Sequence, residues 1–114
     1  MTEAALKLAD GRVIALDEKG YLLDPSDWEK QVAEAMAEGD GVALNPDHFA
    51  VIDIFRDYFR RYEIEPPMRA LVKLVAEKMG TEKGNSRYLY RLFPEGPTTQ
   101  ACRYAGLPRP LSCI

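Results

Sequence analysis

The chain has 114 residues, one domain's worth, and its 46% hydrophobic and 29% charged residues match a soluble globular protein and exclude disorder of the whole chain. No apolar run approaches the ~18 residues of a membrane-spanning helix, and Met1 to Arg12 lacks the basic segment and apolar core of a secretory signal, so a cytoplasmic location is expected. The net charge of −3 divides unevenly: residues 1–65 carry 15 acidic and 7 basic side chains, whereas residues 66–114 carry 3 acidic and 8 basic, so one surface is suited to a negative partner.

Ala4 to Leu8 and Arg12 to Leu16 flank Asp10-Gly11, a pair that supplies the positive φ angles of a tight turn; the pattern predicts an N-terminal β-hairpin. Gly20-Tyr21-Leu22-Leu23 leaves it as a loop or a brief third strand. Asp24-Pro25-Ser26-Asp27 is a helix start, with a capping aspartate, a first-turn proline and acids that oppose the helix dipole. The first helix carries Trp28, Val32, Ala35 and Met36 at helical spacing and stops at Gly39 and Gly41. Asn45-Pro46-Asp47 repeats the start signal. Phe49, Ile52, Phe55 (or Arg56) and Phe59 follow at three- and four-residue steps, with Val51, Ile54 and Tyr58 widening the stripe. This second helix should reach Tyr62 and be the most buried one.

Glu65-Pro66-Pro67 breaks that helix. A third runs from about Pro67 to Met79 with Leu71, Leu74 and Val75 inward, and Gly80 ends it. After the turn Thr81 to Asn85, Ser86 to Phe93 forms a fourth. Pro97 opens a fifth through Ala105, closed by Gly106. Leu107 to Ile114 contains Pro108 and Pro110 and reads as an extended, flexible C-terminal arm. The expected organisation is one mainly α domain: a helical body over 1–106 and an arm over 107–114. Its core should draw on Trp28, Phe49, Ile52, Phe55, Leu71, Leu74, Leu89 and Leu92.

Two cysteines and one histidine cannot fill a four-ligand zinc site, and His48 is the only imidazole that could pair with a nucleophile. No metal or cofactor is expected. The two cysteines therefore carry most of the chemical interest. Cys113 lies on the proline-containing arm, where few neighbours can bury it, and an exposed cytosolic thiol is a liability unless it is used. Cys102 falls inside the fifth helix. Chain spans up to ~3.3 Å per residue, so the arm can fold back and bring the sulfurs together. A reversible pair suits a reducing compartment, with Cys113 the mobile sulfur and Cys102 the resolving one. Arg103 and Arg109 flank the pair, and Lys83, Arg87 and Arg91 lie upstream; cations favour a thiolate and attract anions or an acidic partner. Arg87 and Arg91, four apart, share a helix face.

Several segments together resemble the DsrC/TusE family. They are Lys83-Gly84-Asn85-Ser86-Arg87-Tyr88-Leu89-Tyr90-Arg91-Leu92-Phe93-Pro94, then Gly96-Pro97, then Cys102 to Pro110 and Cys113. Gly20-Tyr21-Leu22, Trp28, Asn45-Pro46-Asp47-His48 and Met68 to Lys73 extend the likeness over nearly the whole chain. The resemblance implies an orthogonal bundle of about five helices with an N-terminal hairpin. It also implies a sulfur carrier that holds a persulfide on Cys113, a co-substrate rather than an independent catalyst. Having Cys102 as well is similar to the DsrC branch. That branch implies a co-substrate of dissimilatory sulfite reductase, a trisulfide between Cys113 and Cys102, and a membrane redox complex that acts on it. The other branch implies a TusE-like relay toward tRNA 2-thiouridine. Upstream sulfurtransferases of the DsrEFH/TusBCD type would load Cys113.

A reading from another class is a helix-turn-helix regulator built from the third helix, the Gly80 to Asn85 turn and the fourth helix. Lys73, Lys78, Lys83, Arg87 and Arg91 would then meet phosphates. The long turn and the acidic balance of the chain weigh against a nucleic-acid partner.

Overall fold

The computed structural model describes residues 4–108, which form five helices and a two-stranded antiparallel hairpin. Strands β1 (Ala4–Lys7) and β2 (Val13–Leu16) pair with Lys7 opposite Val13. The turn differs from the tight Asp-Gly turn expected. Leu8 and Arg12 close a three-residue loop in which only Gly11 takes a positive φ, 94°. Asp10 instead accepts a hydrogen bond from the Arg12 backbone amide at 3.0 Å, which stabilises the longer loop. Ile14 and Leu16 face inward while Val13 and Ala15 face out, the alternation of a half-buried strand. The possible third strand reduces to one bridge between Leu16 and Leu22.

The first helix also begins later than the sequence suggests. Asp24 caps only a 3-10 turn over Pro25–Asp27, and Trp28 is extended with ψ 136°. Helix α1 then runs Lys30–Gly39 and buries Val32, Ala33, Met36 and Ala37. The break at Trp28 lets its indole reach a carbonyl 76 residues away, a tertiary contact that overrides the local helix signal.

Helices α2 (Pro46–Tyr62) and α3 (Met68–Met79) follow, then α4 (Ser86–Leu92) and α5 (Pro97–Tyr104). Asn45 starts α2 with a reciprocal cap. Its side chain accepts from the His48 amide, and His48 Nδ1 accepts from the Asn45 amide, both at 3.1 Å. The same ring donates from Nε2 to the Leu92 carbonyl at 2.8 Å, tying the start of α2 to the end of α4. The imidazole is thus held neutral, and burial pushes its pKa below the ordinary 6.5.

The most buried helix is α5 rather than α2. Five of its 8 residues are buried (Pro97, Gln100, Ala101, Cys102 and Tyr104), whereas α2 buries five of 17. The reason is position: α5 packs against α1, α2 and α4 at once, while α2 keeps a solvated outer face. Ile52, Phe55, Leu71, Leu89 and Leu92 are core residues as expected, but Trp28, Phe49 and Leu74 are only half-buried. Phe49 lies under the Lys30 ammonium at the edge of the bundle, and Leu74 lines the groove between α2 and α3. Among the described residues no helix is long and apolar enough to cross a membrane.

Candidate functional site

A helix leaves its last four carbonyls without intrahelical donors. At the end of α5 each one has found a partner. The Leu107 amide donates to Cys102 O at 3.2 Å and the Gly106 amide to Arg103 O at 3.1 Å, the paired bonds of a glycine-terminated helix end. Gly106 has φ +73°, the left-handed conformation such an end requires. The other two carbonyls are taken by side chains from distant elements. Trp28 Nε1 donates to Tyr104 O and Arg56 Nη1 to Ala105 O, both at 2.7 Å. The Arg56 guanidinium also lies 3.9 Å from the centre of the Trp28 ring. Its burial there pushes its pKa below the usual arginine value, with the nearby Arg60 charge acting in the same direction.

This ending turns the chain back over Cys102. Leu107, placed by the sequence reading at the start of the arm, is 6% exposed and packs with the body. Cys102 itself is wholly buried, and its Sγ donates to the Pro108 carbonyl at 3.5 Å. The thiol therefore lies against the Pro108 carbonyl, where the chain departs from the body. Arg109, Cys113 and the expected arm over 109–114 lie outside the described residues.

The basic side chains divide into two groups. Arg103 pairs with Asp40 at the end of α1, and the Asp40 carboxylate also accepts from Tyr104 Oη at 2.7 Å. Gln100 donates to that same Tyr104 oxygen at 2.8 Å. Burial and the Asp40 carboxylate raise the Tyr104 pKa, so the phenol stays protonated. Lys83 pairs with Asp47 at 2.9 Å, and the Tyr88 hydroxyl donates to the same carboxylate. Those two donors, Tyr88 foremost, hold Asp47 below the usual carboxylate range. Lys83 and Arg103 are thus engaged inside the molecule, at the start of α2 and the end of α1. By contrast, Arg87 and Arg91 are exposed on α4 beside Tyr90, which is 51% exposed, and neither has an ion-pair partner among the described residues.

The sequence reading found the cysteine on α5 but missed the Arg56–Trp28 pair that closes the helix. A signal was present. Arg56 stands four residues after the fully buried Ile52 and three before Phe59, a charge in an apolar stripe.

Comparisons with known proteins place these features in context. A family model described as DsrC like protein matches residues 8–114. The sulfurtransferase TusE of Escherichia coli is 49% identical over 105 residues, covering 92% of this chain and 96% of that protein. The NMR structure of Allochromatium vinosum DsrC has a TM-score of 0.87 at 46% identity, covering 99% of this chain and 100% of that one. The crystal structure of the oxidized γ-subunit of dissimilatory sulfite reductase (DsrC) from Archaeoglobus fulgidus has a TM-score of 0.86 at 38% identity, covering 97% and 100% respectively.

Proposed function

The chain belongs to the family of DsrC like proteins, and from that premise we propose that it carries sulfane sulfur on Cys113 within a sulfurtransferase relay of the TusE kind. In this reading a donor persulfide is attacked by the Cys113 thiolate. The terminal sulfur moves to Cys113 and the donor leaves as its own thiolate. The loaded persulfide is then presented to an acceptor that thiolates tRNA. The observation that carries the reading is the 49% identity to a sulfurtransferase over nearly the full length of both chains. The covered position of Cys102 supports it too, because a wholly buried thiol is a poor first acceptor and leaves Cys113 to load. The exposed Arg87 and Arg91 on α4 form the surface on which an acidic donor or acceptor protein would dock, with Arg109 as a further cation.

A second reading, co-substrate of dissimilatory sulfite reductase, is favoured by one specific feature. Cys102 lies under the chain that leads to Cys113, as a resolving thiol must for sulfur to bridge the two. The sequence alone ranked this reading first; the identity to a sulfurtransferase reverses the order. Intact mass after incubation with a persulfide donor tests the shared claim. Cys113→Ala should gain no sulfur and Cys102→Ala should gain one atom. Sulfur retained on Cys102 alone would refute Cys113 as the carrier. Delivery to tRNA that survives Cys102→Ala supports the relay, and delivery lost with loading intact supports the reductase cycle.

A further inference from the structure

We propose that the groove between α2 and α3 is a docking site for an acidic amphipathic helix of a partner protein, an interaction surface separate from the exposed cations of α4. The proposal goes beyond the sulfur-carrier reading and does not depend on it.

The groove has an apolar floor. Ile54, Tyr58, Ala70 and Leu74 line it, with Ile54 buried and the other three half-buried, so apolar surface is left open by the described residues. Tyr58 and Tyr62, four residues apart on α2, set their rings 4.5 Å apart centre to centre and form an aromatic wall. Tyr62 is 54% exposed, and Ile64, just past the end of α2, is 50% exposed. Apolar side chains gathered in one place, rather than scattered singly, mark an interaction site.

The charges select the occupant. Arg61, Lys73 and Lys78 are exposed along the groove and have no ion-pair partner among the described residues. Of the two acids there, Asp57 is held by Arg60 at 2.7 Å, which leaves Glu77 against three cations. A second copy of this chain would set that positive surplus against itself, whereas a partner with acids flanking an apolar stripe is complementary.

The dimensions select a helix. Between Ile54 and Tyr62 α2 rises about 12 Å at ~1.5 Å per residue, and α3 rises the same between Ala70 and Lys78. Two turns of a third helix match that length and turn apolar residues at i, i+3 or i+4, and i+7 to the floor. The site also has a defined place relative to α5. Arg56, which holds the Ala105 carbonyl, stands two residues before Tyr58, so at ~100° per residue the two point about 160° apart around α2. A docked helix would lie on the far side of α2 from α5 and would not cover the end of that helix.

The test uses the full chain, isotopically labelled for NMR, and a synthetic helical peptide with leucines at i, i+3, i+4 and i+7 and glutamates on its other faces. The peptide should bind and shift the amide signals of Ile54, Tyr58, Ala70 and Leu74, and a peptide of the same composition in an order that scatters the leucines should not. Tyr62→Ala, at an exposed side chain, should weaken binding about tenfold. Lys73→Glu with Lys78→Glu should weaken it at least ~tenfold and turn the preference toward the lysine counterpart of the peptide, a reversal that loss of folding could not give. Failure to bind at millimolar peptide overturns the proposal, as does equal binding of the scattered peptide or a shift map centred elsewhere. A dimer in sedimentation whose interface covers these amides would assign the groove to a second copy, and a single-stranded RNA oligomer that binds at them more tightly than the peptide would assign it to nucleic acid; either result overturns the proposal.

Discussion

Replacing Gly106 by alanine should be among the most destabilising single-atom-scale changes in this molecule, and its cost can be worked from the structure. An alanine at φ +73° pays the left-handed penalty, about 1–2 kcal/mol, offset by ~0.4–1 kcal/mol because the unfolded chain loses freedom too. The new Cβ would lie 2.4 Å from Trp28 Cδ1 and 2.8 Å from its Cβ and Cγ, so the indole must move. Moving it breaks the bond to Tyr104 O and leaves that carbonyl unsatisfied, ~1–3 kcal/mol. It also loosens the stack under Arg56, ~0.5–2 kcal/mol. These contributions centre on about 4 kcal/mol, within a range of roughly 1.5–6.5 kcal/mol, a large share of the 5–15 kcal/mol typical of a whole domain. Gly11→Ala is the matched control, with φ +94° but nothing within 4 Å of the added atom. It should cost only the conformational part, under ~1.5 kcal/mol. Urea unfolding of both variants measures the difference, provided the slope with denaturant is unchanged. Equal losses at the two glycines would refute the contact with Trp28 as the cause.

Protonation of His48 should erode stability in mildly acidic solution. Its folded pKa lies below the ordinary 6.5, so as pH falls from 6.5 through the folded value the unfolded chain binds the extra proton and stability declines; the contribution is full above 6.5. His48→Gln should flatten this slope, and an unchanged slope would assign it elsewhere; Asp47, whose pKa is lowered from 3.8, adds its own loss only in stronger acid. Charge reversal of Arg87 and Arg91 together should weaken binding of an acidic sulfur-transfer partner while shifting stability by no more than ~0.5 kcal/mol per site, as calorimetric binding and urea titrations would show. In Cys113→Ala, alkylation of Cys102 should be at least ~100-fold slower in the folded protein than in denaturant, since the sulfur is wholly buried and must be uncovered before it reacts. Equal rates would mean that Cys102 is open to solvent.

Much of the body was legible because its signals are local. Asn45-Pro46 and the apolar steps through Phe59 place α2, and Gly106 places the end of α5. What stayed hidden depends on contacts far apart in the chain. Asp24-Pro25 is a sound helix start, yet Trp28 breaks the helix in order to meet Tyr104, and no window around residue 28 contains that demand. The central place of α5 was hidden for a similar reason. Thr98, Thr99, Gln100 and Arg103 make it look like a surface helix, but Gln100 and Arg103 are absorbed by the Tyr104–Asp40 network. Basic residues were read as a patch because sequence shows charge and not its partner. Asp40 and Asp47 claim Arg103 and Lys83, which leaves Arg87 and Arg91 as the exposed pair.

The end of α5 has a consequence for how the protein opens. The last turn of a helix ordinarily frays, its amides exchanging with solvent through small local motions. Here that turn is tied by Trp28 to the segment before α1 and by Arg56 to the middle of α2, contacts that span 76 and 49 residues of sequence. Releasing it means separating elements from opposite halves of the chain, so its opening is coupled to unfolding of the body as a whole. The amides of Gly106 and Leu107 should therefore exchange among the slowest in the protein, at the very place where a chain tip would otherwise be loosest. Cooperativity of the body then extends to the root of the arm.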